Sequence, residues 1–582
     1  MKRLVVCGLL ALVWGSAPLG AQESPEDLKR IPPVVKEHIP LSASGETQQL
    51  WRLDRETVVE AKGGGEIRGI PVYAEELPKK AYGLKPLTDA AFRALPKAVR
   101  YKVANKLYAT LFYGEDAARL KKDIASDTFM SDTFKRFRTP NSAKERRQVE
   151  KELENYYDDC CGHGLLSHLM ARLYHLSPGK HYFNRWAAYI LTQTILFSPA
   201  YELDTVYVVD SINVYGRLVR SFDEGESIQW GTYSHMISNE NWRRFRSPED
   251  NGREMLEIYL MDFNDSHVPM AATTLKNWHL DRYSGTLVIG VEDNTIPQRH
   301  LFPGEKVVTG YDFYSRLTLQ PGFLPTVCRR LVDIFFPTFS ENRKAGLAKR
   351  LAESHPGTWP GLLRQIVFSK VYLLESDKAK SLEETFLPVA KALGWVPTYY
   401  SFYRISYMQD YMHQATMRYK LGRKTEVPLD TQSFAWFHKI IREEVMTNYR
   451  DDTSAKSDDA GWPLRGIFRK LPKRLIARNE FDKNGKKTLH WYQNETKRAH
   501  YIVDSLFLAT IGRVAQRDEW RMLTGLIDDL KHDREKYDTP SWLDCYGNET
   551  VKEDREDRGY FAGAVLDYLS RLDEIYCYRS LK

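Results

Sequence analysis

The stretch 247-SPEDNGREMLEIYLM-261 joins a complete helix start to an unusual mixture of apolar and charged residues. Ser247 suits the N-cap position and Pro248 the first helical position. The two acidic residues that follow place negative charge at the positive end of the helix dipole. Because the apolar residues of this stretch cover most of the helical circumference, we predict a largely buried helix.

A single charged stripe runs along the same helix. Its members follow one another at i, i+3, i+4 and i+7: Asp250, Arg253, Glu254 and Glu257. In one interpretation the stripe faces solvent and Arg253 pairs with Glu257 across one helical turn. In the other it is a polar seam inside a helical core, where buried carboxylates with raised pKa values could perform acid–base chemistry.

Four segments in order carry a resemblance to a known family. The first, Pro-Glu-Asp-Asn-Gly-Arg-Glu-Met-Leu-Glu at 248–257, resembles the Asn-Glu-Asn-(Phe/Tyr)-Ala-Arg-Glu-Leu-Leu-Glu signature of the bacterial family called "domain of unknown function 1800". The other three are 267-HVPMAATTLKNW-278, 322-GFLPTVCRRLVDIFF-336 and 362-LLRQIVFSKVYL-373. The resemblance covers roughly residues 200–400.

The chain also departs from that family. Pro248, Asn251 and Gly252 stand where the family has Asn, an aromatic residue and Ala, and only Gly304-Glu305-Lys306 remains of a His-Asp-x-Gly-x-Lys segment. The family has no established activity, so the resemblance implies an architecture more than a function. Its members are commonly encoded beside an exported sulfatase-like family, which implies a partner of that kind.

Length and composition favour a folded protein of several lobes. The chain has 582 residues, 42% of them hydrophobic and 12% aromatic, which argues against global disorder. A formal charge of +7 arises from 84 basic and 77 acidic residues. Because the charges are mixed and no nucleic-acid motif is present, we predict no nucleic-acid partner.

The first residues read as a targeting segment. Lys2-Arg3 precedes an apolar run from Leu4 to Trp14, and small residues end at Ala21. This pattern is typical of a secretory signal peptide that is cleaved after Ala21. No later stretch reaches the ~18 apolar residues of a membrane span. We therefore expect an exported protein without a transmembrane segment in the mature chain, located in the periplasm or at the cell surface.

Periodicity and composition divide the chain into five parts. We predict a mainly α protein, with a multi-helix globular body, little β structure and an irregular N-terminal arm. The parts are a signal peptide (1–21), an N-terminal arm and helical lead-in (22–130), a helical core resembling the family (131–449), a surface insertion (450–498) and a C-terminal helical region (499–582).

Individual elements follow from the same patterns. We predict helices over 88–112, 184–197, 311–336, 343–354, 360–375, 381–394, 431–449 and 496–530, and strands over 205–210 and 286–291. The region 22–85 is expected to hold one small hairpin. An aromatic- and Met-rich stretch over 399–419 is interpreted as packing, or as an exposed face for a partner.

Two groups of residues could bind a divalent metal, the one cofactor that the sequence suggests. Cys160 and His163 have ligand-like spacing, although no second Cys/His pair follows. Asp265 and His267 belong to an oxygen-rich turn that also suits helix capping, which we favour. Cys545 and Cys577 are the natural guess for a disulfide.

Two functions remain open from the sequence. The first is a non-catalytic exported helical protein that docks a partner or is associated with a surface, favoured because no hydrolase, nucleotide or zinc-protease motif is present. The alternative is a metal- or carboxylate-dependent hydrolase with its site around Glu254 and Glu257. That alternative needs Asp250, Arg253 and the metal candidates to lie in the same cleft.

Overall fold

A computed structural model describes residues 66–153, 169–196, 210–245, 247–281, 286–289, 296–393, 489–525 and 565–581, and the single positions 435 and 483. The protein is mainly helical with little strand, as predicted. The aromatic stretch over 399–419 lies outside the described residues, as do the predicted helix over 431–449 except position 435 and the predicted strand over 205–210 except Asp210.

The helices of the described residues follow one another along the chain. The first nine are α1 (Asp89–Arg93), α2 (Lys97–Thr110), α3 (Ala117–Ala125), α4 (Phe129–Arg136), α5 (Ala143–Leu153), α6 (Lys180–Thr192), α7 (Asp210–Glu224), α8 (Ile228–Met236) and α9 (Asn239–Trp242). The next nine are α10 (Pro248–Leu260), α11 (His267–Leu275), α12 (Gly310–Leu319), α13 (Phe323–Phe335), α14 (Glu341–Glu353), α15 (Trp359–Val367), α16 (Lys370–Glu375), α17 (Leu382–Leu393) and α18 (Leu489–Thr510).

Within the described residues, the strands form three small antiparallel pairs. They are β1 (Glu66–Ile67) with β2 (Ile70–Pro71), β3 (Trp278–Asp281) with β4 (Thr286–Ile289), and β5 (Lys378–Ala379) with β6 (Cys577–Tyr578). The first pair is the small hairpin expected in the N-terminal arm. Arg68 and Gly69 both have positive φ at its turn, as a two-residue hairpin with the right-handed strand twist requires.

Several predicted helices are interrupted by proline or by a capping residue. The predicted helix over 88–112 ends at Arg93 and restarts after Pro96, whose ring is incompatible with a helix interior. The helix over 311–336 divides at Pro321-Gly322 for the same reason. Between α15 and α16, Ser369 accepts a hydrogen bond from the Tyr372 amide and so starts a new helix.

Helix α6 lies at the centre of the core, as its apolar sequence predicted. Every residue from Tyr182 to Thr192 is buried. The Tyr182 hydroxyl donates to the Leu111 carbonyl oxygen at 2.8 Å, and Trp186 Nε1 donates to the Thr110 carbonyl oxygen at 2.7 Å. These two carbonyls lie at the end of α2, where no intrahelical donor is available, so α6 caps α2 while packing on it.

Helices α10 and α11 approach closely at a glycine. A Cβ atom on Gly252 would lie 2.8 Å from the Cβ of Ala271, closer than real Cβ contacts allow. Of the segment 267–278, which carries part of the family resemblance, His267–Leu275 is helical and Trp278 begins β3. The predicted strand over 286–291 is confirmed for Thr286–Ile289.

The C-terminal residues complete the core beside the N-terminal helices. Strand β6 pairs with β5, and Asn105 Nδ2 on α2 donates to the carbonyl oxygens of Leu508 and Ala509 at 3.1 and 2.7 Å. Helix α18 begins at Leu489, earlier than expected.

The predicted disulfide between Cys545 and Cys577 is not formed in this structure. Cys577 is a free, buried thiol, and its Sγ donates to the Asp573 carbonyl oxygen at 3.5 Å. Cys545 lies outside the described residues. The spacing of the two cysteines in the sequence carried no information on the distance between them in the fold.

Replacement of Gly252 by Ala tests the close approach of α10 and α11. Overpacking of a filled contact costs about 1–3 kcal/mol, whereas Gly→Ala in a helix gains about 1 kcal/mol. We expect Gly252→Ala to lower the free energy of unfolding by about 1 kcal/mol. The matched control is Gly346→Ala in α14, whose added Cβ meets only the tip of Arg350 at 3.9 Å.

We expect Gly346→Ala to raise the free energy of unfolding by about 0.5–1 kcal/mol through helix propensity alone. Urea unfolding followed by circular dichroism measures both variants. A shift of the same sign for the two substitutions would contradict the proposed close packing at Gly252.

Candidate functional site

Helix α10 begins as its sequence predicts. The Ser247 hydroxyl accepts a hydrogen bond from the Asp250 amide at 3.2 Å, and Pro248 occupies the first turn. One face of the helix is buried, formed by Asn251, Gly252, Met255, Leu256 and Tyr259. The helix ends at Met261, which adopts the left-handed conformation with φ of 52°. Burial is thus confined to one face rather than extending around the helix.

The charged stripe lies at the solvated edge of α10, and its interpretation as a seam within the core is wrong. The Arg253 side chain is 46% exposed and its Nη1 lies 2.7 Å from Oδ1 of the exposed Asp265. This hydrogen bond raises the pKa of Arg253. The ion pair therefore joins α10 to the following turn and does not form within the helix to Glu257.

The other members of the stripe do not form a closed site among the described residues. Glu254 and Glu257 are half-buried, and the Glu257 backbone carbonyl accepts a hydrogen bond from Arg330 Nη2 at 2.9 Å. Asp250 is half-buried at the start of the helix. A hydrolase site formed by these carboxylates stays a prediction, since Cys160 and His163 lie outside the described residues.

The turn from Met261 to His267 is held by its own side chains. His267 Nδ1 lies 2.6 Å from Asp262 Oδ2, and Asn264 Nδ2 lies 3.2 Å from His267 Nε2. Asn264 Oδ1 accepts from the Ser266 amide at 3.0 Å. These are the contacts of a capping turn. Both ring nitrogens of His267 are engaged, so metal binding at this turn would require these contacts to open.

Within the described part of the chain, no group of three or more His, Cys, Asp or Glu residues is placed to hold a metal ion. The two metal candidates within that part, Asp265 and His267, contact Arg253 and Asp262 instead. A divalent cofactor therefore stays a prediction.

The same turn exposes a large aromatic side chain. Phe263 is 68% exposed, the highest value among the exposed large apolar residues that the structure describes. It lies between Asp262 and Asn264, whose side chains stabilise the turn. The result is an exposed apolar ring on a turn that its own hydrogen bonds stabilise and that the Arg253–Asp265 ion pair joins to the α10 stripe. Sequence reasoning identified the turn but overlooked Phe263.

A buried polar network, which the sequence did not reveal, lies behind α10. Arg217 Nη1 on α7 lies 3.0 Å from Glu240 Oε2 on α9, and both side chains are at most 2% exposed. Arg217 Nη2 donates to the Ser238 hydroxyl at 3.1 Å and lies 3.4 Å from His235 Nδ1. Burial lowers the pKa of His235 well below its usual range. The imidazole is therefore neutral and its Nδ1 accepts.

Amide side chains extend this network to neighbouring elements. Asn239 Oδ1 accepts from the Leu287 amide at 2.9 Å, which ties β4 to α9. Asn251 Oδ1 accepts from the Tyr314 hydroxyl at 2.8 Å, which ties α10 to α12. The sequence signal was the dense polar run 238-SNENW-242, which begins with the N-cap residue Ser238 and is typical of a surface turn.

Comparisons with known proteins identify no family for this chain. No family model matches the chain, and the comparisons with curated proteins and with solved structures also return no match. The resemblance to the "domain of unknown function 1800" family thus stays a prediction. Among the described helices, none combines the length and apolar character that crossing a bilayer demands.

The buried ion pair gives a direct test of the polar network. Glu240→Gln leaves the Arg217 guanidinium in the core without its counter-charge, and removing one partner of a buried pair costs about 3–5 kcal/mol. We expect the free energy of unfolding to fall by about 3 kcal/mol. Urea unfolding measures the change.

The matched control is Asp265→Asn, which removes the partner of the exposed Arg253 and is expected to leave the urea midpoint unchanged. The double variant Arg217→Met/Glu240→Met leaves no unpaired charge in the core. Its loss in the free energy of unfolding should therefore be smaller than the sum of the losses of Arg217→Met and Glu240→Met alone. If the losses in unfolding free energy were additive, the two side chains would not act as a pair.

Proposed function

We propose that this chain is an exported helical protein that docks a partner through the turn surface, defined as Asp262–Asp265 together with the charged stripe of α10. The observation that supports this most strongly is Phe263. An aromatic ring that is 68% exposed gains a large free energy when a partner buries it. Aromatic anchors of this kind dominate the energy of many protein interfaces.

The turn is organised before any partner arrives. The Asp262 amide donates to the Leu256 carbonyl at 3.2 Å, and the Asn264 amide donates to Asp262 Oδ1 at 3.0 Å. The His267 imidazole closes the turn against Asp262. Because these hydrogen bonds already restrict the backbone on both sides of Phe263, binding would order few additional groups. A preorganised anchor loses less conformational entropy on association.

The charge of the turn surface indicates the chemistry of the partner. The turn surface carries carboxylates from Asp250, Glu254, Glu257, Asp262 and Asp265, and one guanidinium from Arg253. An apolar anchor on a mainly acidic surface is complementary to an apolar pocket bordered by lysine and arginine. The partner kind that the family resemblance implies, an exported sulfatase-like protein, is the candidate to test first.

A binding measurement with matched variants tests this proposal. Truncation of an anchor residue typically costs about 2 kcal/mol, or about thirtyfold in Kd. We expect Phe263→Ala to weaken binding to the exported sulfatase-like protein of the same organism by about that factor, measured by isothermal titration calorimetry. Met522→Ala, which truncates an apolar residue that is 44% exposed elsewhere, should leave Kd unchanged.

If that protein does not bind, a photocrosslinking residue at position 263 identifies whichever partner is present in the native compartment. The crosslinked adduct is expected at position 263 and not at position 522. Its yield should fall with added salt, because the turn surface is charged. Equal adducts at both positions, or none at 263, would exclude the turn surface as the docking site.

A further inference from the structure

A cationic cleft lies far from the turn surface in sequence, where α2 meets the C-terminal strand β6. It is half-open to solvent, and its cavity volume is about 40 Å³. Its charged lining comprises Lys102, Lys106, Lys380 and Arg579, with Glu574 as the single carboxylate among the described lining residues. Glu574 is already shared, since it lies 3.6 Å from Lys102 Nζ and 3.3 Å from Arg513 Nε.

The two deepest lysines have no carboxylate partner within the described residues. Lys106 is 2% exposed and donates to the Ser376 carbonyl oxygen. Lys380 is equally buried and donates to the carbonyl oxygens of Thr510 and Glu574 at 2.7 and 3.2 Å. An ammonium group has three donors, so each retains at least one that these carbonyls do not use.

The nearest buried carboxylate is occupied by a third lysine. Glu384 Oε2 lies 2.6 Å from Lys378 Nζ and accepts from the Ser381 amide at 2.8 Å. The three ammonium groups surround the Tyr578 ring, with Nζ of Lys380 4.9 Å and Nζ of Lys106 5.5 Å from its centroid. Cation–π contacts offset only part of the cost of burying such charges.

Burial favours the neutral form of these two lysine side chains. It lowers the pKa of Lys106 to about 7 and the pKa of Lys380 to about 8. A protein seldom retains buried lysines without a counter-charge unless something else supplies one. An anion in the cleft would supply it, because it would stabilise the protonated form of both side chains.

We propose that this cleft binds a small oxyanion with two negative charges, of the phosphate or sulfate type, either free or as the terminal group of an ester. Lys106 and Lys380 contact it at the base of the cleft, and Lys102 and Arg579 contact it at the mouth. The site shares no residue with the turn surface, so its test is independent of partner docking.

Titration with inorganic sulfate and with inorganic phosphate, followed by isothermal titration calorimetry at pH 7, tests the site in the full chain. We expect saturable binding with one ion per chain. Lys106→Met and Lys102→Met should each weaken binding at least about tenfold, since each loss of a close charge costs roughly 1.4 kcal/mol or more. The second substitution alters a side chain at the mouth that is 38% exposed, so it does not endanger the fold.

The matched control is Lys349→Met, which removes a lysine that is 75% exposed and does not line the cleft; its affinity should equal that of the unchanged protein. Absence of binding up to about 20 mM of either ion, or equal weakening by the control, would overturn the proposal. Tighter binding of ethyl phosphate than of phosphate would assign the oxyanion to a larger molecule, and the reverse would assign it to a free ion; either result supports the site.

The pH dependence separates this site from a merely cationic surface. The charged and titratable groups that face the two lysines are Tyr372, Asp377, Lys378, Glu384, Glu574, Cys577, Tyr578 and Arg579. Sulfate keeps its charge between pH 7 and 9, whereas Lys380 loses most of its protonation across that interval. Lys106 also loses its proton over this interval, so sulfate affinity should fall at least about tenfold from pH 7 to pH 9, with protons taken up on binding at pH 8. A flat profile would contradict the assignment.

Discussion

Arg217 and Glu240 form an ion pair from which water is excluded, and the arrangement of the surrounding helices follows from that pair. Two opposite charges remain buried only when the elements that carry them keep their geometry. Here α7 supplies the guanidinium, α9 the carboxylate, and α8 the neutral imidazole beside them. Helix α9 precedes α10 closely, and Asn241 Nδ2 on α9 lies 3.8 Å from Met255 Sδ on the buried face of α10.

Much of the helical architecture could be predicted from local signals, because caps and prolines act within a few residues. The Ser247 cap, the burial of α6 and the strand at Thr286 are of this kind. What could not be predicted depends on distant partners. The stripe of α10 has the same spacing whether it faces water or a core, and only the position of Asp265 and of the neighbouring helices decides between them.

The turn surface and the cationic cleft differ in which groups their polar residues leave exposed and which they bury. At the turn surface, hydrogen bonds within a few residues stabilise the backbone and leave an aromatic ring in water. At the cleft, residues from α2, from β5 and its continuation, and from the C-terminal strand place ammonium groups where water is scarce. The turn surface could be recognised in part in the sequence, from Asp262, Asn264 and His267. The cationic cleft could not, because residues hundreds of positions apart form it.

The pairing of β5 with β6, and of Asn105 with the end of α18, has a consequence for how the chain acquires its structure. Helix α2 forms early in synthesis, yet the groups that cover one side of it belong to the last quarter of the chain. Contacts across so many residues must wait for a large loop to close. This side of α2 therefore remains uncovered until the residues of α18 and β6 have been synthesised.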